Sequence, residues 1–269
     1  MTKLKRIKKI EFPGVSKADI HIHTCLSDGM PSVAEVVDYV VKKTDLSVIA
    51  ITDHDEVKGA YEAQKIVKKK GYDIDVVIGE EVTTKQGHII ALFIKDKIRN
   101  GLSAKEAIKE IHKQGGIAIA AHPMHYYRIR SPKYGSMNGV GAVNLIRENF
   151  DAVETINAAP TLSNGNKKTK YLNRKLLFKA EVGGSDSHIL KSIGMGYTLF
   201  DGKTAKELRT AIEKSQSQAY SYSWKWNISG LVFYGIYMLP KVIGNMLWCL
   251  QNGFAPRKPG LIRLPRDFK

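Results

Sequence analysis

Between residues 18 and 215 the chain alternates short β-rich runs with amphipathic helical runs, and this alternation restricts its fold more than any other feature. Parallel strands need long crossover connections, so buried strands separated by helices are the mark of a mostly parallel α/β sheet. The strand runs are ADIHIHT, LSVIAITDH, DVVIGEEVTT, GHIIALFI, GIAIAAHP, DAVETIN and KAEVGGSDSH, with MGYTLF as a further candidate. Three helix starts are marked by capping boxes: Ser32 with Glu35, Ser103 with Glu106, and Thr204 with Glu207. GHIIALFI follows its predecessor after a short polar turn, which leaves a hairpin open as the alternative to a crossover. At 269 residues the chain can bury one large core, and a single α/β barrel with appendages fits that length. The aperiodic stretches 123–140 and 160–170 read as loops at one end of the sheet.

Six of the eight histidines sit at or near the ends of these runs, mostly beside an acid. His21 and His23, two apart on a strand, leave the same face. Asp53 and His54 end LSVIAITDH, Glu80 and Glu81 lie in GEEV, His122 follows GIAIAA, Asp186 and His188 follow VGGS, and His88 opens its strand after Gly87. In parallel α/β folds the carboxyl ends of strands carry the site, because the loops there converge without disturbing the core. Burying so many titratable groups without a cation is costly, so the clustering points to divalent metal. Imidazole and carboxylate donors suit Mn, Zn or Fe, and the absence of cysteine donors argues for catalytic rather than structural ions. Adjacent carboxylates on a strand face opposite ways, so one of Glu80 and Glu81 points away from the site. Asp53 either orients His54 or caps the next helix. Arg128 and Arg130, after His122, are candidates to grip phosphate oxygens. His125 reads as a surface side chain and His112, mid-helix, as structural.

The ordered series H-I-H-T with Asp28, then T-D-H, G-E-E-V, G-H-I, A-H-P and G-S-D-S-H resembles the polymerase and histidinol phosphatase (PHP) family over roughly residues 18–200. The resemblance implies a distorted (β/α)7 TIM-like barrel with helices outside and two or three divalent ions in its mouth. It implies that His21, His23, Glu81 and Asp186 hold one ion, that Glu81 bridges to a second held by His88 and His122, and that Asp28, His54 and His188 hold a third. Many members carry His where this chain has Asp28. The implied activity is a metal-dependent phosphoesterase acting on a small metabolite, a nucleotide or a short oligonucleotide through metal-activated hydroxide. Glu81 and Asp186 would serve catalysis by holding the ions, with Asp53 and Arg128 in support.

Composition refines the setting. The net charge of +16 is uneven: residues 1–10 and 221–269 together carry eleven of those charges, so the centre is only mildly basic. The chain divides into a basic segment 1–17, a barrel 18–220 and an apolar, Trp-flanked helical extension with a basic tail, 221–269. Residues 228–250 hold one charge, Lys241, and Trp224, Trp226 and Trp248 flank or close them, a pattern that suits an interfacial anchor on an anionic membrane or a helix packed on the barrel. Cys25 and Cys249 form no paired pattern, and the N-terminus lacks a secretory signal's apolar stretch, so the expected location is the cytoplasm, with peripheral or monotopic membrane contact through the tail. Two other readings stand beside phosphoesterase: a metal-dependent amidohydrolase, which also opens with H-x-H, and a membrane-tethered, non-catalytic metal-binding module. Nucleic acid enters only as a short substrate, since the strands lack interleaved aromatics.

Overall fold

A computed structural model describes residues 14–125, 130–131, 135–136, 138–160 and 162–222, together with Gly235. Arg128, most of the basic segment 1–17 and the Trp-flanked segment 228–250, apart from Gly235, lie outside the described residues. Among the described residues no helix is long and apolar enough to cross a membrane.

The first half of the chain builds β1 (Val15–Ile22), α1 (Val33–Lys43), β2 (Leu46–Ile51), α2 (Lys58–Lys70) and β3 (Asp75–Thr83), with the three strands parallel. β4 (His88–Leu92) turns back antiparallel on β3 and pairs antiparallel with β5 (Ile117–Ala120), which follows α3 (Ala104–Lys113). The short turn before GHIIALFI is therefore a hairpin and not a crossover. Two-residue strands β6 (Arg130–Ser131) and β7 (Gly135–Ser136) pair with each other inside the long loop after β5. After α4 (Gly141–Arg147), strands β8 (Ala152–Asn157) and β9 (Ala180–Gly184) restore the parallel direction. β10 (Gly196–Asp201), α6 (Ala205–Glu213) and β11 (Gln218–Ser221) complete the described fold. All three capping boxes form, each with the cap hydroxyl accepting the N3 amide and the Glu carboxylate returning to the cap.

Sheet order is β11-β10-β1-β2-β3-β4-β5-β8-β9, and the turn after β9 meets the end of β1. Ile22 bridges Ser187, with His23 N–H donating to Ser187 O at 2.9 Å and Ser187 N–H to His21 O at 3.3 Å. The result is a nearly closed α/β barrel of β1–β5, β8 and β9. MGYTLF, β10, runs antiparallel to β1 and pairs onward with β11, so it flanks the ring instead of joining its parallel set.

Alternate residues of all seven barrel strands share one apolar cluster, among them Ile20, Val48, Val77, Ile90, Ile119, Ala152 and Val182. That requires them to face one enclosed space. Phe200 and the α6 residues Leu208 and Ile212 join the cluster, and Ala205 N–H donates to Asp75 at the start of β3, so α6 caps the end where the strands begin. A second cluster packs α1, α2 and α3 on the outside of the ring. The polar residues are left to the opposite end.

One segment departs from the sequence reading. Residues 160–170 read as a loop, yet α5 occupies Ser163–Leu172 and runs into a π-helical turn, Asn173–Leu177. Its Ser-Asn-Gly-Asn start is a poor helix former, and tertiary bonds supply what propensity lacks: Asn166 accepts from Asn157 N–H and donates to Asn157 O at the end of β8.

Asp19 fastens the closing seam. It is fully buried, and its carboxylate accepts from the backbone N–H groups of His21, Ser185 and Gly194, tying β1 to the chain after β9. Asp19→Ala leaves three N–H groups without their acceptor and is expected to lower unfolding free energy by about 2–4 kcal/mol. Urea unfolding of the variant beside the parent chain measures the loss.

Candidate metal centre

Every predicted ligand arrives from the strand ends opposite α6. His21 is the last residue but one of β1 and His23 is the first beyond the strand, on the same face; His54 follows β2 and bridges Glu81 of β3; His88 opens β4. His122 follows β5, and Asp186 and His188 follow β9. Asp28 comes from the loop between β1 and α1. That loop folds tightly over His23: a Cβ on Gly29 would lie 2.6 Å from His23 O. His122 and Asp186 sit at φ 29° and 51°, in the left-handed region that side chains seldom adopt. Strain of this kind persists where surrounding bonds over-determine the backbone, commonly at functional sites.

Glu81 is the hub. Its Oε2 lies 3.2 Å from His21 Nε2, 3.2 Å from His23 Nε2 and 3.4 Å from His54 Nδ1, while Oε1 lies 2.9 Å from His88 Nδ1 and 3.0 Å from His122 Nε2. One carboxylate thus presents each oxygen to a separate set of imidazoles. Asp186 Oδ1 lies 3.5 Å from His21 Nε2 and 3.4 Å from His23 Nε2. Asp28 Oδ1 is 3.1 Å from His188 Nε2, 3.6 Å from His23 Nδ1 and 3.9 Å from His54 Nε2. Glu80 faces the other way, its Oε2 accepting from Ile98 N–H at 2.8 Å. The choice between the two adjacent glutamates falls on Glu81.

These donors fit divalent ions. Four groups have their ligand atoms within 4.8 Å of one another: His21, His23 and Asp186; His21, Glu81 and His122; His23, His54 and Glu81; and His23, Asp28 and His188. Donors about 2.0–2.1 Å from a tetrahedral ion sit about 3.3–3.4 Å apart, close to the 3.2–3.5 Å that separate His21 Nε2 and His23 Nε2 from Glu81 Oε2 and Asp186 Oδ1. Buried nitrogens His21 Nε2, His23 Nδ1 and Nε2, and His88 Nε2 make no hydrogen bond of good geometry. A polar atom left so is expensive unless a cation completes it.

The electrostatics agree. Burial opposes charge on Glu81, yet His88, His21 and His54 hold its carboxyl well below the usual range. Asp186 and Asp28 are likewise held low against burial, chiefly by His21 and by His188 respectively. Burial pushes His23 down, but Asp186 and Glu81 carry it up to about 10, whereas burial takes His54 down to about 3. The carboxylates attract positive charge to this end of the barrel, and metal ions and protons compete to supply it.

The nine predicted metal ligands therefore converge on one another. Asp53 stands apart from all four groups: its oxygens accept from Thr24 N–H, Thr24 Oγ1 and Ser27 Oγ at 2.6–2.7 Å. It neither orients His54 nor caps α2, whose N-cap is Val57; it braces the loop that carries Asp28. His112 is structural, bonded to Asp151 at 2.8 Å. His125, expected at the surface, is half-buried, and burial lowers its pKa to about 4. Two buried residues escaped the sequence reading, Glu154 and Asn157. The available signal was a charged residue in the middle of the apolar run DAVETIN.

Comparisons place this geometry. A PHP-domain family model matches residues 19–134, the span from His21 to His122, and a PHP-associated model matches residues 168–217, which hold Asp186 and His188. An uncharacterized protein of Methanocaldococcus jannaschii is 42% identical over 118 residues, covering 40% of this chain and 67% of that protein. The fold is similar to that of a two-domain protein from Bacteroides vulgatus containing a predicted PHP-like metal-dependent phosphoesterase, with TM-score 0.60 and 20% identity over 81% of this chain and 70% of that one. It is also similar to an amidohydrolase from Chromobacterium violaceum, with TM-score 0.50 and 18% identity over 66% of this chain and 89% of that one.

Neighbouring glutamates should respond oppositely to substitution. Burial first, with Asp55 and Glu56 adding, raises Glu80 to about 8 against the Ile98 amide and Lys97. A folded pKa above the ordinary 4.5 means that neutral Glu80 supports the fold below pH 4.5, and that this support is lost as pH rises through about 8. Glu80→Gln should therefore flatten the fall in stability between pH 5 and pH 9 and leave metal binding intact. Glu81→Gln should weaken metal binding about a hundredfold or more. Urea midpoints across pH and metal titration of both variants separate the two roles.

Proposed function

The chain belongs to the polymerase and histidinol phosphatase (PHP) family, and from that membership and its site we propose that it is a metal-dependent phosphoesterase acting on a small metabolite, a nucleotide or a short oligonucleotide. The observation that carries the reading is Glu81, whose two oxygens face two sets of imidazoles at 2.9–3.4 Å. Paired divalent ions supply Lewis acidity and lower the pKa of water towards about 7. The residues set the rest. Glu81, Asp186 and Asp28 contribute three carboxylates to the ligand groups, fewer charges than two or three divalent ions carry, so the loaded site keeps a positive excess that favours an anionic substrate. Burial of the imidazoles on the strand ends keeps them in fixed geometry, which suits displacement at phosphorus because such catalysis rests on positioning and charge. A recessed ligand set also suits small or single-stranded esters better than duplexes.

The rival is an amidohydrolase. That class usually bridges its metals with a carboxylated lysine, whereas in this chain Glu81 would fill that role. Chelator-treated chain, reloaded with manganese or zinc, should hydrolyse a nitrophenyl phosphomonoester or phosphodiester, and Glu81→Gln should lower the rate about a hundredfold or more. Turnover of amides or lactones with inert phosphate esters would instead select the rival.

A further inference from the structure

Behind the ligands lies a buried acid and amide pair that belongs to none of the four ligand groups. Glu154, fully buried on β8, holds two ligand residues on different strands: Oε1 lies 2.9 Å from His21 Nδ1, and Oε2 accepts from His122 N–H at 2.7 Å. Asn157 Nδ2 donates to Glu154 Oε2 and to Asp186 Oδ2, both at 3.1 Å. The side chain of Asn157 is itself oriented, since its Oδ1 accepts from Ala159 N–H at 3.0 Å and leaves Nδ2 to face the carboxylates. Its backbone is clasped on both sides by Asn166 of α5. Gly184 makes the arrangement sterically feasible: a Cβ there would lie 2.5 Å from His21 Cβ and 2.9 Å from Glu154 Oε1.

We infer that Glu154 and Asn157 are positioning residues that set three metal ligands at once. A carboxylate can only accept, so Glu154 fixes the His21 proton on Nδ1 and leaves Nε2, the atom facing Glu81 and Asp186, as the ligand. Its second oxygen anchors the amide of His122, whose φ of 29° would otherwise relax. Asn157 occupies Asp186 Oδ2 and turns Oδ1 towards His21 and His23. The four strands β1, β5, β8 and β9 are thereby linked behind the site, and α5 is joined to the linkage through Asn166. The inference rests on the metal-centre reading.

The test uses the full chain loaded with zinc, with Glu154→Gln and Asn157→Ala beside it. Glutamine offers one acceptor and cannot serve both His21 Nδ1–H and His122 N–H, so Glu154→Gln is expected to weaken zinc binding about 10- to 100-fold, and Asn157→Ala about tenfold. Nitrogen NMR of the histidine rings in the diamagnetic zinc form should show His21 protonated on Nδ1 in the parent chain. If Glu154→Gln does not fold, Asn157→Ala decides by its affinity, with its metal-free unfolding midpoint as the control. Zinc affinities of both variants within about twofold of the parent, or a His21 ring bare at Nδ1, would overturn the inference. A parent chain that binds neither zinc nor manganese would instead defeat the metal reading itself, and the inference with it.

Discussion

Two backbone hydrogen bonds, His23 N–H to Ser187 O and Ser187 N–H to His21 O, hold the end of β1 against the turn after β9, and the metal centre depends on them. His21 and His23 stand on one side of that seam, Asp186 and His188 on the other. Were the sheet open here, β1 and β9 would be separated by five intervening strands, and their ligands with them. Closure is reinforced from below by Asp19, whose carboxylate reaches across the seam to Ser185 and Gly194. The same contacts that make the barrel also assemble the ligand set, so fold and site are one cooperative structure.

The barrel separates two environments along its axis. At the end where the strands begin, Phe200 and α6 complete an apolar interior. At the other end imidazoles and carboxylates crowd together, with ring nitrogens of His21, His23 and His88 that make no hydrogen bond of good geometry and two ligands in left-handed backbone. Each of those features opposes folding, by desolvation or by strain of order 1–3 kcal/mol apiece. The apolar interior and the outer helices offset that cost, and bound cations would return part of it as stability linked to ligand concentration. A stable lower half is what allows the upper half to be shaped for chemistry.

Much of this was legible in the sequence, for a definite reason. Hydrophobic strand runs that stop abruptly in His, Asp or Glu mark the ends of buried strands, and their order along the chain maps directly onto their order around a barrel. Local signals also marked the three capping boxes, and the short polar turn before His88 left the hairpin open beside a crossover. What it missed depends on contacts between distant segments. α5 forms despite weak helix formers because Asn166 clasps Asn157. MGYTLF has the composition of a barrel strand but pairs outside the parallel set, which no local pattern specifies. Asp53 was read with its neighbour His54, although side chains one apart near a strand end leave in different directions; that parity, applied to Glu80 and Glu81, correctly demanded that one face away.

Asp28 is the position where this chain departs from many members of its family, and the geometry gives that departure a meaning. Each of the four ligand groups contains two imidazoles and one carboxylate: Asp186 in one, Glu81 in two, and Asp28 in the last. With histidine in place of Asp28 the last group would be all imidazole and carry no fixed negative charge. The aspartate gives it the same donor balance as the others, and a two-histidine, one-carboxylate set leaves coordination positions open for water and substrate. His23 belongs to three of the groups, with its Nε2 turned to Glu81 and Asp186 and its Nδ1 turned to Asp28. It therefore joins the group containing Asp28 to the Glu81 hub. A carboxylate there gives the rim the same pull on a cation that Glu81 gives the centre.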